Sequence, residues 1–313
     1  MENMSPDADS QKSALHKGLD GSDAGGQHEQ QQGGPLPSGP SPPAAASRQQ
    51  EPSTVAVPTG PVVRLVNVSK TLGKQRVLDH VTLDFTRGQI TVVVGPSGTG
   101  KTVLLKHIIG LLRPDHGEVW FDGQQINQLS EAQLVNVRMK IGYLFQMGAL
   151  FDSMTVEQNI CFPLTEHTTL NPRQCGLRCR RMLEMVGLAG IEAKMPAKLS
   201  GGQRKRVALA RAIILEPQVV LYDEPTTGLD PIRGDIINEL IINLSKRLGI
   251  TSLVVTHDMV SANKIADRLV MLYDGKIIAD GDPETFSRTP HEYVQRFIRG
   301  QAGQDELERV GGV

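Results

Sequence analysis

Eight consecutive residues, Gly95-Pro96-Ser97-Gly98-Thr99-Gly100-Lys101-Thr102, combine glycines, a lysine and a hydroxyl at the spacing G-x-x-x-x-G-K-[ST]. Glycines let the backbone curl so that successive N–H groups point inward at phosphate oxygens. A helical pattern opens at Lys101, and its N-terminus brings a positive dipole end to the same spot. Lys101 is placed to reach the β- and γ-phosphates of a nucleotide, and the Thr102 hydroxyl to ligate Mg²⁺. The turn follows a β-branched run, Ile90-Thr91-Val92-Val93-Val94. That strand-to-helix context separates a nucleotide site from an ordinary glycine turn with a solvated lysine.

A second group of residues fits the first. The apolar run Val219-Val220-Leu221-Tyr222 ends in Asp223-Glu224. Acids at the carboxyl end of a parallel strand face the ligand crevice. Asp223 is expected to hold Mg²⁺, through water, and Glu224 to orient or deprotonate the water that attacks the γ-phosphate. The run Ser252 to Thr256 likewise ends in a polar group, His257, which can donate to the γ-phosphate. Gln146 follows another short apolar run, Ile141–Phe145, and can touch Mg²⁺ or the attacking water. Taken alone, His257 would be a structural histidine, but its order relative to Lys101 and Glu224 favours the site; for Gln146 the alternative is a surface glutamine.

These groups need strands and helices to hold them. Val62–Val68, Val77–Phe85, Gln89–Val94, Ile141–Phe145, Val219–Tyr222, Ser252–Val255 and Leu269–Leu272 read as strands. Helical patterns at Lys101–Ile109, Gln174–Val186, Gln203–Leu215 and Gly234–Leu248 alternate with most of them. That alternation predicts an α/β fold with a parallel sheet. Residues 146–215 interrupt it and are expected to form an inserted helical lobe. Residues 1–60 hold 16 Gly or Pro and no aromatic residue, and are expected to be a disordered arm. The polar, glycine-containing stretch 300–313 reads as a flexible tail, leaving 61–299 as the working domain.

Leu199-Ser200-Gly201-Gly202-Gln203, followed by Arg204-Lys205-Arg206-Val207-Ala208, resembles the signature of ATP-binding cassette (ABC) ATPases. The resemblance covers about residues 62–295. It implies a P-loop cassette with a RecA-like core, an antiparallel β region near the N-terminus and a helical insert. It also implies a head-to-tail homodimer that sandwiches two ATP molecules. Ser200, Gly201, Gly202 and Gln203 of one copy would then meet the γ-phosphate held by Lys101 of the other. Gly228-Leu229-Asp230 matches the loop that crosses this interface. One residue departs from the family: Leu72 stands where an aromatic ring usually stacks on adenine, so ATP and GTP are expected to be hydrolysed at similar rates.

The stretch Gly148-Ala149-Leu150-Phe151, with Pro163-Leu164 and Glu166-His167-Thr168, looks like the ATPase subunits of Mce/Mla-type lipid transporters. That implies docking under an integral-membrane permease at the cytoplasmic face of the inner membrane. It also implies an MCE-domain lipid-binding protein and, in some systems, a STAS-domain subunit. Another import ATPase, a soluble non-transport ABC ATPase and a regulatory cassette without hydrolysis are the alternatives. The single phosphate turn, the short insert and the presence of both Glu224 and His257 weigh against the last two.

Composition narrows the rest. The arm carries three basic and seven acidic residues, and the remainder 30 and 27. A balance of +3 over some 250 residues argues for no nucleic acid partner. No apolar run approaches the roughly 20 residues that span a bilayer, and no secretory leader is evident. Cys161, Cys175 and Cys179 read as reduced thiols; the i, i+4 pair Cys175/Cys179 lacks companions for a metal site and reads as packing. Arg173, Arg178, Arg180 and Arg181 read as a solvated basic face, and Trp120 as strand packing.

Overall fold

The computed structural model describes residues 60–303, so the arm expected over 1–60 and the last ten residues of the tail fall outside it, Gly60 apart. Two long strands, β1 (Pro61–Leu72) and β2 (Gln75–Thr86), pair antiparallel across the turn at Gly73-Lys74. With β4 (His116–Phe121) and β5 (Gln124–Gln125) they form a four-stranded antiparallel sheet in the order β2-β1-β4-β5. Trp120 lies on β4, half-buried, with its indole N–H donating to Glu118 at 2.8 Å.

The second sheet has six strands in the order β10-β9-β3-β8-β7-β6. These are β3 (Ile90–Val94), β6 (Ile141–Leu144), β7 (Val219–Asp223), β8 (Thr251–Thr256), β9 (Arg268–Tyr273) and β10 (Lys276–Gly281). All neighbours are parallel except the edge pair β9–β10. Every residue of β3, β7 and β8 is buried, as near-continuous apolar runs require when both sheet faces are covered. Period-two alternation divides those side chains between two cores. Val93, Val219, Leu221, Leu253 and Val255 pack toward the antiparallel sheet, α1 (Lys101–Ile108) and α2 (Glu131–Arg138). Val92, Val94, Val220, Tyr222 and Val254 pack toward α5 (Gly201–Ile213), α6 (Pro231–Leu248) and α7 (Met259–Ile265).

Between β6 and β7 run α3 (Val156–His167), α4 (Pro172–Met185), a single 3-10 turn at Pro196–Lys198, and α5. Reciprocal capping boxes start α3, α4 and α5: Thr155 with Gln158, Asn171 with Gln174, and Ser200 with Gln203. Each satisfies backbone N–H groups that a helix start leaves without partners. These caps explain why α4 and α5 begin two residues before the apolar periodicity does. Helix α6 begins three residues early for a related reason: Asp230 caps it, accepting from the Arg233 N–H at 3.0 Å, and Pro231 occupies the first helical position. The chain ends in α8 (Pro283–Ser287) and α9 (Glu292–Arg299). The three cysteines are free and buried, and among the described residues no cluster of metal-ligating side chains occurs.

The segment from Gln146 to α3 has little regular structure and is held by Arg211 of α5, which donates to the Gly148 and Ala149 carbonyls at 3.0 and 2.9 Å, and by Asn159 of α3. Asn159 is fully buried; its oxygen accepts from the Phe151 N–H at 2.8 Å, and its amide donates to the carbonyls of Phe151, Met154 and Thr155 at 3.0–3.1 Å. Replacing it leaves buried backbone groups without partners, which costs about 1–3 kcal/mol. Asn159→Ala is therefore expected to lower the melting temperature by roughly 2–12 °C in a thermal unfolding scan.

Candidate active site

Strand order decides what meets. β3, β8, β7 and β6 are successive parallel neighbours, so the segments that leave their carboxyl ends lie along one rim of the sheet. The phosphate turn leaves β3, His257 leaves β8, Asp223-Glu224 closes β7, and Gln146 follows β6 by one residue. A cavity of about 420 Å³ opens there, lined among others by Leu72, Ser97, Gly98, Gly100, Lys101, Thr102, Gln146 and Glu224.

The turn depends on its glycines. Gly100, the N-cap of α1, sits at φ 99°, and a Cβ there would come within 2.8 Å of both Cγ1 and the carbonyl oxygen of Val77. A Cβ on Gly95 would meet the Leu272 carbonyl oxygen at 2.2 Å. Lys101, 6% exposed, folds back into the curl, its ammonium donating to the Gly95 and Pro96 carbonyls at 2.8 and 2.9 Å. Burial pushes that ammonium below its usual range, opposed by the Glu224 carboxylate, which lies 3.7 Å away. The Thr102 hydroxyl donates to Asp223 at 2.9 Å, and the Tyr143 hydroxyl to the other Asp223 oxygen at 3.1 Å. Thr102 and Asp223 thus bring two hard oxygen donors together at the foot of the phosphate turn, with Gln146 on the same cavity. A donor set made only of oxygen suits Mg²⁺.

Glu224 is 8% exposed and has φ 49°, a left-handed conformation rare outside glycine. One of its carboxylate oxygens accepts from the hydroxyls of Thr227 and Thr256 at 3.1 and 3.3 Å and lies 2.9 Å from Nδ1 of His257. His257 therefore turns one ring nitrogen to the acid and leaves Nε2 for another group. Lys205 of α5, also 6% exposed, donates to the Glu224 backbone carbonyl at 3.1 Å.

Lys101, Thr102, Gln146, Asp223, Glu224 and His257 are thus gathered within one chain. Ser200, Gly201, Gly202, Gln203 and Asp230 are not among the residues lining that cavity. Within the chain Ser200 and Gln203 cap α5, and Asp230 caps α6 and pairs with Arg233 at 3.2 Å. Sequence reasoning passed over Tyr143, Thr227, Thr256 and Lys205. Lys205 carried a signal: it shares the buried stripe of α5 with Gly202, Leu209 and Ile213, where a charge is out of place. Tyr143 carried none, since its meeting with Asp223 depends on β6 lying beside β7.

Residues 78–227 match the family model described as ABC transporter. The intermembrane phospholipid transport system ATP-binding protein MlaF of Escherichia coli K12 is 43% identical over 241 residues, covering 77% of this chain and 90% of that protein. The probable ribonucleotide transport ATP-binding protein mkl of Mycobacterium leprae is 40% identical over 245 residues, covering 78% of this chain and 71% of that one. A solved ATP-binding cassette, dimeric in a post-hydrolysis state with ADP and Pi, superposes with a TM-score of 0.66 at 34% identity. That match covers 71% of this chain and 98% of the cassette. The chain belongs to the ATP-binding proteins of ABC transporters. It binds ATP and is an ATP-hydrolysing enzyme of that class.

The glycine geometry has a direct consequence. Gly100→Ala forces a methyl into Val77 and a strained φ, so ATP binding is expected to weaken at least tenfold in a fluorescent-nucleotide titration, at a cost of about 1.4 kcal/mol or more.

Proposed function

We propose that the chain is the ATPase subunit that powers phospholipid transport through a separate integral-membrane permease. The observation that carries this reading is its 43% identity to MlaF across 90% of that protein. Exposed apolar side chains beside Gln146 support a docked permease: Phe145 and Phe151 are two-fifths exposed and Met147 is 86% exposed. A position at the cytoplasmic face of the inner membrane goes with this reading; among the described residues no helix is long and apolar enough to cross a membrane. An MCE-domain lipid-binding protein and a STAS-domain subunit complete the proposed assembly, with no nucleic acid. Residues 61–299 form its ATPase domain, with 146–215 as the helical insert.

In the proposed site the backbone N–H groups of residues 97–102 cradle the phosphates, and Lys101 leaves the Gly95 and Pro96 carbonyls for the β/γ-phosphates. Thr102, Asp223 and Gln146 hold Mg²⁺, which, when bound, neutralises phosphate charge during transfer. Glu224 takes a proton from the attacking water, and His257, its Nδ1 turned to Glu224, presents Nε2 toward the γ-phosphate. Ser200, Gly201, Gly202 and Gln203 act on the ATP of a second copy, with Asp230 in the segment that crosses between copies. Support for that homodimer is twofold: these residues do not line the cavity of their own chain, and the similar solved cassette is a dimer.

The relative mkl, with its ribonucleotide name, favours a second cargo for the same engine. Purification from native membranes in mild detergent, with mass spectrometry of proteins and lipids, separates the two. A permease with an MCE-domain protein and phospholipid is the expected outcome; a permease without them overturns the lipid cargo.

Two substitutions test the chemistry. Glu224→Gln keeps the shape and removes the base, so kcat is expected to fall about 100-fold or more while ATP still binds; near-parental turnover overturns the assignment. Leu72, 43% exposed at the mouth of the cavity, offers a base face no ring. An aromatic contact is worth about 1 kcal/mol, so GTP should turn over within about tenfold of ATP. Leu72→Tyr should shift that ratio toward ATP, as measured by kcat/KM for each nucleotide.

A further inference from the structure

We propose that Lys205 is a positioning residue for Glu224: from the signature helix it grips the backbone of the acid and so fixes where the carboxylate points. The inference rests on the reading of Glu224 as the group that activates water.

Glu224 needs such a hold. Its φ of 49° is a conformation a glutamate does not keep unaided. The backbone is clamped from two sides. On one, its N–H donates to the Val255 carbonyl of β8 at 3.0 Å. On the other, its carbonyl accepts from the Lys205 ammonium at 3.1 Å. Threonine and histidine contacts then orient the side chain, but they can aim it only if the backbone beneath is fixed. Lys205 sits on the buried face of α5, and without it the Glu224 carbonyl keeps only the longer bond from the Thr227 N–H, at 3.3 Å within the same turn.

The two buried lysines therefore have separate tasks. Lys101 lines the cavity and rests on carbonyls of the phosphate turn, ready to exchange them for phosphate oxygens. Lys205 is not among the residues lining the cavity and makes its bond to Glu224. It should govern the rate of the chemical step and leave nucleotide affinity alone. Because Ser200 caps α5, the same helix bears both the signature residues and this grip, one turn apart. A movement of α5 is then a movement of Glu224.

The test uses the full-length chain with Mg–ATP, steady-state turnover and a separate fluorescent-nucleotide titration. Lys205→Met is close to lysine in shape but has no donor. It is expected to lower kcat about tenfold or more, since small misplacements of a catalytic group are costly, with nucleotide Kd within about twofold of the parent. Lys205→Arg restores a donor and should return kcat to within about threefold of the parent. Parental kcat in Lys205→Met, or a loss seen in Kd rather than kcat, overturns the proposal. Should Lys205→Met fail to fold, Lys205→Arg decides: a folded protein with kcat down about tenfold or more overturns it as well. Glu224→Gln is run alongside. Parental turnover there removes the underlying reading and this one with it, whereas loss there and none in Lys205→Met removes this one alone.

Discussion

Two carboxylates, Asp223 and Glu224, are held almost out of water at the end of a wholly buried strand, and the rest of the site follows from making that tolerable. Buried acids survive only when paired and hydrogen-bonded. Asp223 is satisfied by the hydroxyls of Thr102 and Tyr143, drawn from α1 and β6. Glu224 is satisfied by Thr227, Thr256, His257 and Lys101. Two lysines, Lys101 and Lys205, stand in the same buried region, so the local charge is balanced before any ligand arrives. Desolvation lowers the affinity of both ammonium groups for their protons, and the nearby carboxylates oppose it.

That balance explains how a nucleotide can enter. Lys101 is bound to two carbonyls of the phosphate turn, not locked in a tight ion pair, since Glu224 stands 3.7 Å off. Phosphate oxygens can replace those carbonyls without stripping a close partner from the acid. The Thr102–Asp223 bond likewise holds two hard oxygens side by side, a cheap arrangement to open around a cation. The strained backbone of Glu224 is the remaining cost, borne by the packing of β7, β8 and α5 around it.

The parallel order of the sheet concentrates the donors, but it also leaves work undone. α1 and α5 each present a helix N-terminus suited to anions, one opened by Gly100 and the other capped by Ser200. Only the first faces the cavity. The second completes a site solely if another copy supplies the nucleotide, which gives the proposed homodimer a chemical reason beyond its precedent in a similar cassette.

Much of this was legible in residue order. Seven of the ten described strands, the phosphate turn at 95–102 and the acids at 223–224 announce themselves, because each depends on local chemistry: β-branched runs, glycines at fixed spacing, an apolar strand that ends in charge; β4 showed only through Trp120, and the edge strands β5 and β10 did not show. Helix starts were less legible. The periodicity of α4, α5 and α6 marks the buried face, whereas Asn171, Ser200 and Asp230 set the true starts through caps that burial does not report. The family resemblance, too, was carried by contiguous residues, 199–203 above all. What sequence could not determine is adjacency across the sheet. That β8 lies between β3 and β7, and β6 beyond, brings Thr256 and His257 to Glu224 and Tyr143 to Asp223. The grip of Lys205 on Glu224 likewise spans 19 residues and two elements. Local pattern determines which segments become strands and helices because those preferences act over a few residues. Pairing order is decided only when whole faces are buried together, and that is a property of the folded chain.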